Sequence, residues 1–208
     1  MKILKHLKSW EGFLAIILLV IVIVNSLLSE SFLSIENQIN LFVLSIEKVI
    51  IALIMAKIII NAEIDLSVAS MMGLSACALG WFVESVMPMA MALIASITIG
   101  AIGGAFNGFW ITVVKLPSLV VTLAMLIGFR GLARVLIGDR SIKMFPQWFE
   151  DLGQQPFFWN IPFSVMIFIA LLICVVITLE YTGFGRHIYI IGINQNVALY
   201  SGINVARV

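Results

Sequence analysis

Between Glu84 and Lys115, and again between Asp151 and Glu180, the chain contains no Asp, Glu, Lys or Arg. No other feature limits its folding so strongly. A helix of roughly 20 apolar residues crosses the hydrocarbon core of a bilayer, and each window is long enough. Composition removes the alternative of a large water-soluble core. Hydrophobic residues make up 62% of the chain and charged residues 11%, against about 25% charged in a typical soluble domain. So few charges cannot cover a water-facing surface. The chain reads as all-α, polytopic and transmembrane, with about six membrane helices in one domain over residues 1–208.

The apolar segments alternate with short polar ones. A basic start, Met1 to Lys8, precedes the unbroken apolar run Phe13 to Val24. That pattern suits a signal peptide, but Asn25-Ser-Leu-Leu28 makes a poor cleavage site, which favours an uncleaved first helix with its lysines on the cytosolic side. Glu30 to Glu47 is polar and reads as an external connection, with an interfacial helix as one option. Further apolar stretches are Val49 to Ile60 (broken by Lys57), Leu66 to Val83, the charge-free window ending at Val114, Ser118 to Ile137, and Pro162 to Leu179. Lys115-Leu-Pro117 separates two of them, because proline lacks an amide proton and disfavours helix at the residue before it. Gly138 to Ile161 is a longer loop with Asp139, Arg140 and Lys143, and with Trp148 and Trp159, a residue type that favours the membrane–water boundary. Alternation from a cytosolic start puts this loop outside and the tail, residues 180–208, inside. The charges of the loops support that orientation only weakly. No repeat or low-complexity segment is present.

Few residues carry chemistry. Ser96, Gly100, Gly104 and Gly108 recur every four residues, a small-residue stripe that lets a second helix backbone approach; packing within the chain is the expected use. Asn107 lies beside it, suited either to a hydrogen bond between helices or to a polar path. Glu63 and Asp65 lie between two apolar stretches. An acid at the bilayer centre costs about 2.5–3.5 kcal/mol on insertion scales, so the segment is either a surface loop or the lining of a wet path. Asp65 or Ser67 is also placed to cap the next helix. Arg130 and Arg134 read as interfacial anchors with snorkelling stems.

Absences narrow the function further. There is no G-x-x-x-x-G-K-[ST] phosphate loop and no nucleophile–base constellation, so neither ATP binding by that route nor enzyme activity is expected. With a formal net charge of +1 and no basic cluster, nucleic acid is not an expected partner. Cys77 and Cys174 read as small apolar residues, and His6 and His187 are isolated, so no metal is assigned.

Glu63-Ile-Asp-Leu-Ser-Val-Ala-Ser70, Gly104-Ala-Phe-Asn-Gly108, Leu116-Pro-Ser-Leu-Val-Val-Thr-Leu123 with Phe129-Arg-Gly-Leu-Ala133, Thr182-Gly-Phe-Gly-Arg-His-Ile-Tyr189 and Ser201-Gly-Ile-Asn-Val205 follow in that order. Together they resemble the permease subunits of ribose-, xylose- and rhamnose-type ABC sugar importers, a group that includes autoinducer-2 permeases. The resemblance implies that Asp65, Ser67, Asn107 and Thr122 lie in the translocation path or in a core motif of the fold. It also implies a cytosolic segment that docks on an ATPase, here Asn194 with Ala198, Ser201, Gly202 and Ile203. The chain departs from that pattern where Glu63 and Ala69 replace usual glycines, where Lys57 lies in a stretch usually apolar, and where Gln195 and Asn196 occupy positions usually acidic.

The expected function is import of a monosaccharide, of pentose or deoxyhexose class, by alternating access in a bacterial inner membrane. The partners implied are the lipid bilayer, ABC ATPase subunits that bind the ATP, a second permease subunit and an extracytoplasmic sugar-binding protein. Similar permeases continue past the position of Val208 with more membrane helices, so a truncated product or fragment is expected. An ATP-independent secondary transporter and a non-transporting membrane module are the competing readings.

Overall fold

A computed structural model describes residues 10–138, 140–154, 156–158 and 161–208. The basic start with His6, and Asp139 and Trp159, lie outside the described residues. The helices are α1 (Trp10–Leu28), α2 (Ile35–Ile60), α3 (Val68–Glu84), α4 (Met89–Thr112), α5 (Ser118–Ile137), α6 (Gln147–Gln154), α7 (Phe163–Val176), α8 (Gly183–Ile193) and α9 (Gln195–Tyr200). Helix α7 continues as a π-helical turn, Ile177–Tyr181, and a 3₁₀ turn, Val205–Arg207, follows α9. A small antiparallel ribbon, β1 (Pro156–Phe158) with β2 (Ile161–Pro162), precedes α7.

The protein is an all-α polytopic membrane protein. Among the described residues three helical stretches are long and apolar enough to cross a bilayer: Met89–Thr112, Ser118–Ile137 and Phe163–Tyr181. Gly12–Leu28 and Val68–Glu84 are shorter apolar helices. One expectation is corrected in α2. The polar stretch before Val49 is not simply a connection, because the helix already begins at Ile35. Polar residues do not stop a helix, and the Ser34 hydroxyl accepts the Asn37 amide at 3.2 Å, capping the first turn. The tail is also more ordered than a polar tail implies, since it folds into α8 and α9.

The chain divides into two compact units, Met1–Ile46 and Glu47–Val208. In the first, α1 is apolar from Phe13 to Val24, and the polar Asn25 and Ser26 are satisfied within the helix. Asn25 Nδ2 donates to the Ile21 carbonyl at 2.7 Å and Ser26 Oγ to that of Val22 at 2.8 Å, as a helix facing lipid requires.

In the second unit α3 packs against both α4 and α5. The residues these helices bury are mostly small: Leu74, Ala78 and Gly80 on α3, Ala92, Ser96, Gly103 and Asn107 among those on α4, and Val121, Thr122 and the larger Phe129 on α5. With lipid on the outside, no hydrophobic drive holds helices together, so close backbone approach and interhelical hydrogen bonds must do so. At one end of α3 the long loop folds back: Ile142 covers Gly80, and Arg140 lies 3.7 Å from the Glu84 carboxylate.

The small-residue stripe is only partly used. Ser96 is buried and Gly100 faces the Ser75 hydroxyl, but a Cβ at Gly104 or Gly108 would meet nothing within 4 Å among the described residues. Gly103 makes the close approach instead, against Met71 and Phe129. The reason is rotational. At 3.6 residues per turn a strict four-residue repeat drifts about 40° per step, so Gly104 is turned about 80° and Gly108 about 120° from Ser96, whereas positions 103 and 107 return to within about 20°.

Candidate functional site

The segment between α2 and α3 is where the chain brings its polar core residues together. Ile60 ends α2, and Ala62 has a positive φ of 60°. The backbone then turns through Asp65, whose Oδ1 accepts both the Ser67 amide at 2.7 Å and the Ser67 hydroxyl at 2.7 Å. This is a side-chain-closed turn of the kind Asp favours. Ser67 occupies the N-cap position of α3 but makes no capping bond with its own side chain; its hydroxyl donates to Asp65 instead.

With its proton spent, Ser67 Oγ accepts from Asn107 Nδ2 at 2.8 Å. Ser67 is fully buried, and Asn107 is 4% exposed. Among the described residues Asn107 Oδ1 has no hydrogen-bond partner. On the other side, Thr122 Oγ1 on α5 lies 2.8 Å from the Ser118 carbonyl and 3.3 Å from the Ile64 carbonyl. Asp65, Ser67, Asn107 and Thr122 therefore converge, and the 64–67 segment is fastened to α4 and to α5 at once. The cluster does not lie at mid-helix. Asn107 is about one and a half turns from the end of α4 at Thr112, and Thr122 is about one turn from the start of α5 at Ser118.

The second group of expected residues forms a capped helix. Asn194 Oδ1 accepts the amides of Asn196 at 2.9 Å and Val197 at 3.3 Å, which satisfies donors that a helix start leaves free. At the other end Ser201 is the C-cap, Gly202 has φ +79°, and the Ile203 amide returns to the Ala198 carbonyl at 3.0 Å. Such a reversal ends a helix best with glycine, which takes positive φ without a Cβ clash. Ala198 is fully buried, whereas Ile193, Val197, Leu199 and Tyr200 are exposed. Helix α9 is thus fixed at both ends and on one face, with apolar side chains projecting from the rest.

The two groups meet. Gly192, in the last turn of α8, packs directly on the carbonyl of Ile60, and a Cβ there would overlap the oxygen. Beside this contact is a hollow of about 350 Å³ lined by Asn61, Ala62, Glu63, Ile191, Gly192, Ile193, Asn194 and Gln195. The segment leading to Asp65 is therefore at the same end of the unit as α9. Sequence spacing does not reveal this. Gly192 carries no motif, and its importance comes from a backbone far away in the chain. Among the described residues no three His, Cys, Asp or Glu side chains group as metal ligands.

The family model for the branched-chain amino acid transport system, permease component, matches residues 37–208. The chain belongs to this permease family. All of the fastened segment and the capped helix fall within the matched stretch of the permease, and α1 precedes it. The autoinducer 2 import system permease protein LsrD of Escherichia coli (strain K12) is 35% identical over 164 residues, covering 76% of this chain and 49% of that protein. LsrD of Shigella flexneri matches equally, and that of Escherichia coli (strain SMS-3-5 / SECEC) is 34% identical over the same length. The chain spans about half the length of the curated relatives it matches. No solved structure matches the permease.

Proposed function

We propose that this permease is a membrane subunit of an ATP-driven importer in a bacterial inner membrane, moving a small hydroxyl-rich solute by alternating access. A monosaccharide of pentose or deoxyhexose class suits that reading, and so does the autoinducer 2 named for the relatives. Energy comes from separate ABC ATPase subunits, a second permease subunit completes the pathway, and an extracytoplasmic binding protein delivers the solute.

The observation that carries the proposal is α9. A six-residue helix with both ends capped, one buried alanine and exposed Val197, Leu199 and Tyr200 suits a rigid element that transmits a push from a soluble partner. Asn194, Ala198, Ser201, Gly202 and Ile203 build it, and its base touches the segment that Asp65, Ser67, Asn107 and Thr122 fasten to α4 and α5. In this mechanism ATPase closure moves α9, α9 moves the 61–66 segment through the Gly192–Ile60 contact, and the inner end of the pathway wall shifts. Gly100 serves helix approach in that wall, where it faces the Ser75 hydroxyl, while Gly104 and Gly108 lie on a face that meets no described neighbour.

The test is solute uptake into vesicles holding the assembled transporter, with the partner ATPase intact or inactivated at its phosphate-loop lysine. Uptake that needs the intact ATPase is expected. Uptake driven equally well by an ion gradient without nucleotide would sink the proposal and leave a secondary transporter.

A further inference from the structure

We infer that Arg130 lines the solute path and donates hydrogen bonds to oxygen atoms of the transported solute, with Arg134 one turn farther out on the same wall. This rests on the importer reading above and adds a solute-contacting residue to it.

Arg130 lies deep in the membrane. Helix α5 has 20 residues, Ser118–Ile137, so its length of about 30 Å matches the hydrocarbon core. Arg130 is twelve residues from Ser118 and seven from Ile137, which puts its Cα about 4 Å from the midpoint and about 10 Å from the nearer end. Helical side chains lean toward the helix N-terminus, here toward Ser118 and away from that nearer end. The stem of Arg130 therefore does not carry its charge out to the headgroups. Arg134, three residues from Ile137, suits an interfacial anchor; Arg130 does not.

Charge at that depth is costly, and such residues face a water-filled cavity or a polar partner rather than lipid. This chain supplies no partner among its described residues. Both arginines are exposed, and neither is in an ion pair, the carboxylate of Glu84 being taken by Arg140.

The surrounding face favours water and solute over a buried ion pair. Leu123, Ile127, Arg130 and Arg134 lie within about 60° of one another round α5, and all four are exposed. The two guanidiniums are one turn apart, where like charges repel, and water weakens that repulsion most. Thr122 and the 61–66 segment mark the inner end of α5 in the importer reading, so Arg134 is on the outer side. The charged stripe thus runs from the outer boundary to mid-helix and gives way to Ile127 and Leu123, the profile of a path wet from outside down to Arg130. A guanidinium there offers five N–H donors in a fixed fork and no acceptor, which suits neighbouring oxygens of a small oxygen-rich solute.

The experiment uses the assembled transporter in vesicles, in a Cys77→Ala, Cys174→Ala background, treated from outside with a charged, membrane-impermeant thiol reagent. Arg130→Cys is expected to react readily, and ribose or autoinducer 2, tried as probes, to slow the reaction. Leu132→Cys, at similar depth, 53% exposed but about 160° away round the helix, is expected to stay unreactive. In uptake of the protecting solute, Arg130→Gln should raise KM about tenfold, and Arg130→Lys should raise it less. Equal, slow labelling at 130 and 132 would overturn the inference by leaving Arg130 without water. Labelling at 130 that neither solute slows would overturn the solute contact. Dissociation of the second permease subunit in Arg130→Gln, with assembly intact in Arg130→Lys, would also overturn it, by assigning Arg130 to an ion pair between subunits. Labelling needs no nucleotide, so uptake found to run on an ion gradient would end the importer reading without deciding the accessibility of Arg130.

Discussion

Asn107 donates to the hydroxyl of Ser67 at 2.8 Å, and that hydroxyl donates onward to Asp65 at 2.7 Å, so a helix and the turn before another helix are joined by one buried relay. The direction of the relay is fixed by its end. A carboxylate only accepts, so Ser67 must give its proton to Asp65 and can only accept from Asn107. This leaves the amide oxygen of Asn107 as the unsatisfied atom.

Breaking the relay should therefore destabilise the protein more from one side than from the other. Ser67→Ala leaves the Asn107 amide with neither end paired and is expected to cost about 1–3 kcal/mol. Asn107→Ala removes its own unpaired oxygen as well and should cost less. Thermal unfolding in detergent of the two variants and their double mutant checks this, with a coupling energy near 0.6 kcal/mol expected for an interhelical pair in a membrane protein.

Glycine positions separate sharply. Gly192→Ala pushes a Cβ into the Ile60 carbonyl, a backbone atom that cannot swing away, so a loss of about 3 kcal/mol is expected. Gly103→Ala meets the flexible end of Met71 and should cost about 1 kcal/mol. Gly104→Ala faces open space and should be neutral or slightly stabilising, because alanine is the better helix former. The order 192, 103, 104 in melting temperature is the quantity to check.

The caps of α9 can be tested locally. Asn194→Ala is expected to cost about 1 kcal/mol of helix stability, and Gly202→Ala about 1–2 kcal/mol for holding positive φ. Amide hydrogen exchange over residues 195–203 should quicken in both variants, while exchange in α3 and α4 stays at wild-type rates.

Tyr189 provides a pH prediction outside the spanning helices. Its hydroxyl is raised from 10.0, first by desolvation and then by the charge of Glu180 and the hydrogen bond to it, at 3.3 Å. The protonated phenol is the form the fold favours. Its contribution is complete below the unfolded value and is lost as pH rises through the folded one. An absorbance titration of tyrosinate, with Tyr189→Phe as the difference, should show Tyr189 ionising above the ordinary tyrosine range, and Glu180→Gln should bring it down.

Much of this protein is written locally. The charge-free windows made α4 and α7 recognisable as membrane helices, and Lys115-Leu-Pro117 marked the break between α4 and α5, since hydropathy and proline act on the segment that contains them. The chain order of motifs pointed to a permease, and Asp65, Ser67, Asn107 and Thr122 were recognisable as a set worth attention. Local pattern left the stretch before Val49 open between a connection and a helix, which the structure resolves as helix from Ile35, and it misjudged the glycine stripe, where a four-residue repeat ignored the drift of a 3.6-residue turn.

What the tertiary structure alone decided is which distant groups touch. Nothing in the sequence pairs Gly192 with Ile60, gives Asn107 to Ser67, or sets Glu63 and Asn61 around a hollow with Gln195. Those contacts depend on the rotation and depth of whole helices. For Asn107 and Ser67 that placement comes with the packing of α3 against α4 and α5, and for Gly192 and Ile60 with the close approach of the ends of α8 and α2; no single residue or motif carries it.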